Sequence, residues 1–295
     1  MSDAPGAPGA NAALDEFTAT APLVLVGCGN MGGALLGGWL KNGLKPRGLV
    51  VVDPKASSMA SSRRDLGAAR FSDDAGALVA DQVVARALVL AVKPQVIGGI
   101  IAGLRGLCGP RTLVLSIIAG KRLGWFRDRL GADTAIVRAM PNTPAAVGAG
   151  VSGLYAPPAV AAGDRALSDA LMAAVGRVVA LNDESEIDLV TATSGSGPAY
   201  FYFLIECLAA AGEAAGLSAE MAAALARETA IGTAAVLRND GASPSELRRR
   251  VTSPKGTTEA ALEVLAAENE GLGPLMRRTV EAALQRANEL SSGDA

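Results

Sequence analysis

Leu23-Val24-Leu25-Val26-Gly27-Cys28-Gly29-Asn30-Met31-Gly32 decides the fold. Four branched apolar residues run straight into a glycine-rich turn, and a helical stretch over 31–40 follows. A short, continuously apolar run of this kind is a strand buried on both faces. G-x-G-x-x-G between strand and helix is the dinucleotide fingerprint. Gly27 permits the tight turn, Gly29 lets backbone approach a pyrophosphate, and Gly32 lets helix and strand pack closely. The helix start around Cys28, Asn30 and Met31 then offers N–H donors and a positive dipole end to the anion. Asp53 stands twenty-one residues beyond Gly32, where an acid suits the free ribose hydroxyls of NAD. Lys55, Ser57 and Ser58 follow at once and suit a 2′-phosphate, so NADH and NADPH both stay open. A Rossmann-like sheet whose glycine turn binds nothing is the alternative this motif leaves on its own.

Moving outward, further β-rich runs occupy 49–52, 87–92, 112–117 and 135–138, with helical stretches between them. That alternation is repeated βαβ and predicts a parallel sheet covered by helices. A later pair near 150–155 and 177–181, flanking a helix at 164–174, extends the sheet. After Asp183 the strand signal stops, and 197–216, 218–238, 244–251, 257–267 and 273–290 read as helices. Ser243-Pro244-Ser245-Glu246 is a capping box with Pro at the first helical position. Gly216 then Ser218 reads as a stop followed by a new N-cap. The expected class is therefore α/β: a Rossmann-type parallel sheet over 21–182, then an all-α domain over 183–295. Residues 1–20, rich in Ala, Gly and Pro, read as a flexible tail.

Composition removes whole chemistries. With 295 residues, two domains are the prior. The chain holds no histidine, which excludes His-based nucleophilic triads, His general bases and most catalytic zinc sites. A net charge of -2 and 3% aromatics argue against nucleic-acid binding. Cys28, Cys108 and Cys207 lie far apart in apolar contexts and read as reduced, buried thiols of a cytoplasmic protein, not a metal site. The apolar stretch 197–217 is long enough to span a membrane, but Glu206 and Glu213 inside it favour a helix buried in protein. Ala222, Ala226, Ala230 and their neighbours leave a helix apolar nearly all round, which calls for packing between subunits.

Three more clusters carry candidate chemistry. Ala91-Val92-Lys93-Pro94 ends the third strand, at the edge where ligands of open α/β sheets bind. Arg138 to Pro144 ends the fifth; its prolines make a rigid loop, and Asn142 suits a nicotinamide carboxamide. Structural turns explain either cluster equally well by itself. Ser253-Pro254-Lys255-Gly256-Thr257-Thr258 joins two helices, and its helix start offers N–H groups and hydroxyls to a small carboxylate. A plain capped turn is the alternative there.

GCGNMG (27–32), AVKP (91–94), MPNTP (140–144), SGSGPAY (194–200) and VTSPKGTTEAAL (251–262), in this order, resemble pyrroline-5-carboxylate reductase over residues 22–290. The resemblance implies NAD(P)H-dependent reduction of 1-pyrroline-5-carboxylate to L-proline, the last step of proline synthesis. It implies a helical dimerisation domain and dimers assembled into a larger ring such as a decamer. By position it makes Thr258 the catalytic threonine and places Ser253, Gly256 and Thr257 in the substrate-carboxylate loop. Thr191, Ser194, Gly195, Ser196, Gly197 and Pro198 line the substrate site, while Ala119 and Glu184 join the cofactor set. The commonest family loop reads Pro-Gly-Gly, and here Lys255 replaces the first glycine. If that position needs a positive φ, the change costs about 1 kcal/mol or more. Some members carry an acid shortly before the position of Pro244, where this chain has Gly241-Ala242-Ser243.

A protonated cyclic imine is already electrophilic, so its reduction needs no nucleophile, metal or histidine; holding donor and acceptor carbons together is the main task. Two rivals stand beside this reading. A 3-hydroxyacid dehydrogenase would share the fingerprint but would need a Lys or His acid in the second domain, where Lys255 is the sole lysine. A silent nucleotide-sensing scaffold would bind coenzyme without turnover.

Overall fold

A computed structural model of the chain describes residues 13–62 and 66–292. Eight strands form one sheet: β1 (Leu23–Val26), β2 (Leu49–Val52), β3 (Arg70–Ser72), β4 (Ala87–Leu90), β5 (Leu113–Ser116), β6 (Ala135–Met140), β7 (Gly150–Tyr155) and β8 (Gly176–Ala180). Their order is 3-2-1-4-5-6-7-8. The first six are parallel, in the doubly wound order whose ligand crevice opens between β1 and β4. β7 runs antiparallel to β6, and β8 is parallel to β7. The all-parallel expectation fails at this one joint. Residues 141–149 are too few for a crossover back across the sheet, so the chain reverses direction instead.

Alternation along each strand builds two cores. Leu23 and Leu25 face one way, onto α1 (Asn30–Lys41) and α6 (Ala162–Ala173), through Leu35, Leu36, Trp39, Leu167 and Leu171. Val24 and Val26 face the other, onto α4 (Pro94–Leu104) and α5 (Leu123–Leu130), through Ile97, Ile101, Phe126 and Leu130. Trp39 is fully buried and donates its indole N–H to the Leu171 carbonyl at 2.8 Å. Trp125, on α5, lies beneath the Lys121 ammonium at 4.9 Å and the Arg129 guanidinium at 4.2 Å. Burial, and then the repulsion of Arg129, hold the Lys121 ammonium below its usual range. Two shorter helices, α2 (Ala56–Ser62) and α3 (Gly76–Ala80), complete this half.

The tail reading needs correction. Residues 1–12 lie outside the described residues, but 13–20 are part of the fold. Leu14 and Phe17 are buried in the first core, and Asp15 and Glu16 pair with Lys45 and Arg86. Two apolar residues three apart anchor this segment, although the surrounding Ala, Gly and Pro hide them.

Beyond β8 come α7 (Glu186–Val190), a π-helical turn over Thr191–Gly195, α8 (Gly197–Ala214), α9 (Ala219–Asn239), α10 (Pro244–Arg250), α11 (Thr257–Leu265) and α12 (Leu272–Ser292). The chain divides into two compact units, residues up to Gly195 with those from Leu284 onward, and Ser196–Ala283. The first compact unit thus runs past the expected boundary at 183, as far as Gly195. Ile187 and Ala192 are buried, and α7 packs on β6 and β7, which holds this segment to the sheet. Ser291, near the end of α12, donates to Asp188 at 3.2 Å.

In the second unit the anticipated helix signals all form. Ser218 and Ser243 accept the N–H groups of Met221 and Glu246, and Gly216 adopts φ 111°. The reciprocal arm of the capping box is replaced, because the Glu246 carboxylate pairs with Arg249 and Arg250. Ala222 and Ala226 are buried, and Ala222 lies where a Cβ on Gly212 would touch it, so they face α8. The other faces are bare: Phe201 and Phe203 are 68% and 65% exposed. Cys207 is exposed on α8, contrary to the buried reading. Cys108 keeps a partly buried site, and burial pushes its thiol up to about 11. No helix among the described residues is long and apolar enough to cross a membrane.

Candidate active site

The glycine turn after β1 is built as the fingerprint requires. Gly27 has φ 89°, and a Cβ there would stand 2.9 Å from the carbonyl group of Ala91. A Cβ on Gly32 would sit 2.1 Å from the Gly27 carbonyl oxygen. Gly29 is the opposite case: it is exposed, and nothing lies within 4 Å of its missing Cβ. Two glycines are required by close packing, and the third leaves open approach to the start of α1. No side chain caps that helix and no acid occupies its first turn, so its N–H groups suit a pyrophosphate. Asn30 is exposed there, with Cys28 and Met31 half-buried.

Asp53 leaves β2 beside this turn. Its Oδ2 accepts the Cys28 N–H at 2.8 Å and its Oδ1 accepts the Lys55 N–H at 2.9 Å. The carboxylate is thereby held rigid at the carboxyl edge of β2. Ala91, Val92 and Lys93 follow β4 on the other side of the crevice, with Lys93 at the extended N-cap of α4 and Pro94 opening that helix. Ala119 is half-buried in the turn after β5.

Two sequence candidates are committed to structural bonds. Asn142 is buried; its amide donates to the Ser194 carbonyl at 3.1 Å and accepts the Val151 N–H at 2.9 Å. It therefore ties the β6–β7 connection to the π-helical turn, rather than standing free for a carboxamide. Glu184 accepts the Leu123 N–H at 2.7 Å and an Arg138 Nη1 hydrogen at 2.9 Å. Burial lowers the Arg138 pKa, while Glu184 and then Asp188 raise it. Arg138 is 2% exposed, so this ion pair is an internal brace joining β6, α5 and the approach to α7. A cation within the apolar run AIVRAM was the available signal. Thr191 and Ser194 turn their hydroxyls back to the carbonyls of Ile187 and Val190. That back-bonding belongs to a π-turn, a geometry found often at functional sites. Gly195 closes it, and Ser196, Gly197 and Pro198 open α8.

The second unit contains the Ser253–Thr258 segment. The Gly256 N–H donates to the Ser253 carbonyl at 3.0 Å, with Pro254 and Lys255 at the corner. Lys255 has φ 58°, as the second corner residue of a type II turn requires. A glycine would adopt this φ without penalty, whereas lysine bears about 1–2 kcal/mol of strain. The Glu259 carboxylate steadies the turn by accepting the Lys255 N–H at 2.6 Å. Gly256 is the N-cap of α11, and a Cβ there would strike the Ser253 hydroxyl at 2.4 Å. The N-cap residue of α11 makes no side-chain capping bond. Thr257 is exposed and Thr258 half-buried, and the Thr258 hydroxyl makes no hydrogen bond among the described residues.

Strand order, crevice and glycine cradle define a protein of the Rossmann dinucleotide-binding class. Residues 184–290 match the family model for pyrroline-5-carboxylate reductase dimerisation, and residues 22–120 that for NADP oxidoreductase, coenzyme F420-dependent. Pyrroline-5-carboxylate reductase of Pseudomonas aeruginosa is 40% identical over 92% of this chain and 97% of the relative. The chain belongs to the pyrroline-5-carboxylate reductase family. The pea (Pisum sativum) reductase is 34% identical over 94% of this chain and 97% of its own. Among solved structures, the Coxiella burnetii reductase superposes with a TM-score of 0.83 at 34% identity, covering 92% of this chain and 99% of that one. The Plasmodium falciparum enzyme, solved with NADP bound, gives 0.76 at 27% identity, covering 93% and 100%.

Proposed function

We propose that this protein reduces 1-pyrroline-5-carboxylate to L-proline with a reduced nicotinamide coenzyme. The observation that carries the reading is the Thr258 hydroxyl, without a hydrogen bond among the described residues, at the start of α11 in a chain matched over nearly its whole length by reductases of that name. The glycine cradle and Asp53 hold the coenzyme, which supplies the hydride. Gly256, Thr257 and the first N–H groups of α11 receive the substrate carboxylate, with Ser253 beside them. Thr258 hydrogen-bonds the ring nitrogen and helps retain its proton while the imine carbon is reduced. Positioning does the rest, and no histidine is needed. Asn142 and Glu184 act as braces for the loops around the cofactor, not as contacts to it.

The bare aromatic face of α8 supports a homodimer, and further assembly into a ring of dimers is part of the same proposal. The protein works in the cytoplasm, where its thiols stay reduced. The test is to follow oxidation of NADH and NADPH by absorbance with pyrroline-5-carboxylate, alongside 3-hydroxy acids with the oxidised coenzymes. Turnover of the imine alone supports the proposal. Turnover of a hydroxy acid, or coenzyme binding with no turnover, overturns it.

A further inference from the structure

β2 and β3 pair in register up to Val52↔Ser72, so the next residues, Asp53 and Asp73, leave the carboxyl edge side by side. Neighbouring strands stand about 5 Å apart, which brings two carboxylates together at the ribose end of the crevice. The Asp53 N–H still donates to the Ser72 carbonyl at 3.1 Å, so the pairing persists to this point. Both acids are fixed by bonds. Asp53 spans the N–H groups of Cys28 and Lys55. Asp73 takes both donors of Ser57, the N–H at 3.0 Å and the hydroxyl at 2.8 Å. Those two bonds also hold the Asp73 carboxyl below the usual carboxylate range, so it stays ionised at neutral pH. Asp74 follows it and accepts the Gly76 N–H at 2.6 Å.

This arrangement reverses the part that Ser57 was free to play. A 2′-phosphate needs donors and positive charge, and it carries a charge of about −1.5 to −2. Here the serine donors point at a carboxylate. Ribose hydroxyls, by contrast, are donors that an anchored carboxylate accepts.

We propose that this chain is selective for NADH: Asp53 receives the adenosine ribose hydroxyls, and Asp73, clamped on Ser57, excludes a 2′-phosphate. The assignment rests on the coenzyme-binding reading above and adds Asp73 as a specificity residue outside every motif. Titration calorimetry on the full-length protein, without substrate, tests it with NADH and NADPH. NADH should bind at least about tenfold more tightly, a difference of about 1.4 kcal/mol. Asp73→Asn, which keeps an acceptor for Ser57 but removes the charge, should narrow the ratio by strengthening NADPH. Added salt should narrow it in the unaltered protein, because salt screens repulsion between exposed charges. That second measurement holds even if the variant folds poorly. NADPH binding as tightly as NADH, or a ratio indifferent to both changes, overturns the assignment and leaves the reductase reading standing. Failure to bind either coenzyme overturns both.

Discussion

Thr258 and Glu184 are acids or donors of the same modest reach, yet they call for opposite experiments. The Thr258 hydroxyl has no partner among the described residues, and Gly256, not Thr258, is the N-cap. Thr258→Ala should therefore leave the melting temperature within a degree or so, while turnover falls about a hundredfold. That is about 2–3 kcal/mol for one hydrogen bond to a group whose charge changes. Thr258→Ser should retain most of the rate. An earlier melt with normal turnover would make the residue structural. Glu184 reverses the pattern, since it pairs with Nη1 of a buried guanidinium whose Nε and Nη2 have no hydrogen-bond partner among the described residues. Glu184→Ala should cost about 3–5 kcal/mol, seen as a lower urea midpoint, because it strands a buried charge. Arg138→Met in that background should recover part of the loss; a further loss would show that the arginine is held by something else. The glycine cradle was legible at this scale because each glycine answers a local steric demand. The partners of Asp53, Glu184 and Asn142 were not, because their bonds reach across 25, 46 and 52 residues of chain.

Elements were legible where the apolar run was long and covered on both faces. β1 and β2 announce themselves by continuous Leu and Val, whereas β3 is a three-residue strand with no buried residue, whose Arg70-Phe71-Ser72 carries no such signal. The polarity of β7 was equally hidden, since loop length rather than strand composition sets it. Helix faces repeat the lesson. Ala230 is half-buried one turn beyond Ala226, on the row that meets α8, so a charge there would disturb the helix pair itself. The surfaces left for a second copy carry the exposed Phe201, Phe203 and Leu225. Phe203→Glu should lower the mass measured by light scattering toward that of a single chain, with helix content kept. An unchanged mass would place the contact on another face.

For the molecule as a whole, the described chain begins its packing earlier than its composition suggests. Phe17 is buried against the sheet core, with its backbone against Gly48, so Phe17→Ala should cost about 3–5 kcal/mol in denaturant unfolding. A loss below 1 kcal/mol would return the segment to the status of an appendage. The division into two units also has an optical consequence. Both tryptophans of the chain, Trp39 and Trp125, lie in the sheet unit, and the unit from Ser196 to Ala283 has none. Indole emission is thus blind to the second unit, whereas far-ultraviolet dichroism draws on the helices of both. One thermal ramp read by both probes gives coincident curves only if the two units melt as one. Emission that holds steady while ellipticity falls would show the helical unit opening alone, and the undisturbed Trp39 indole would be its internal standard.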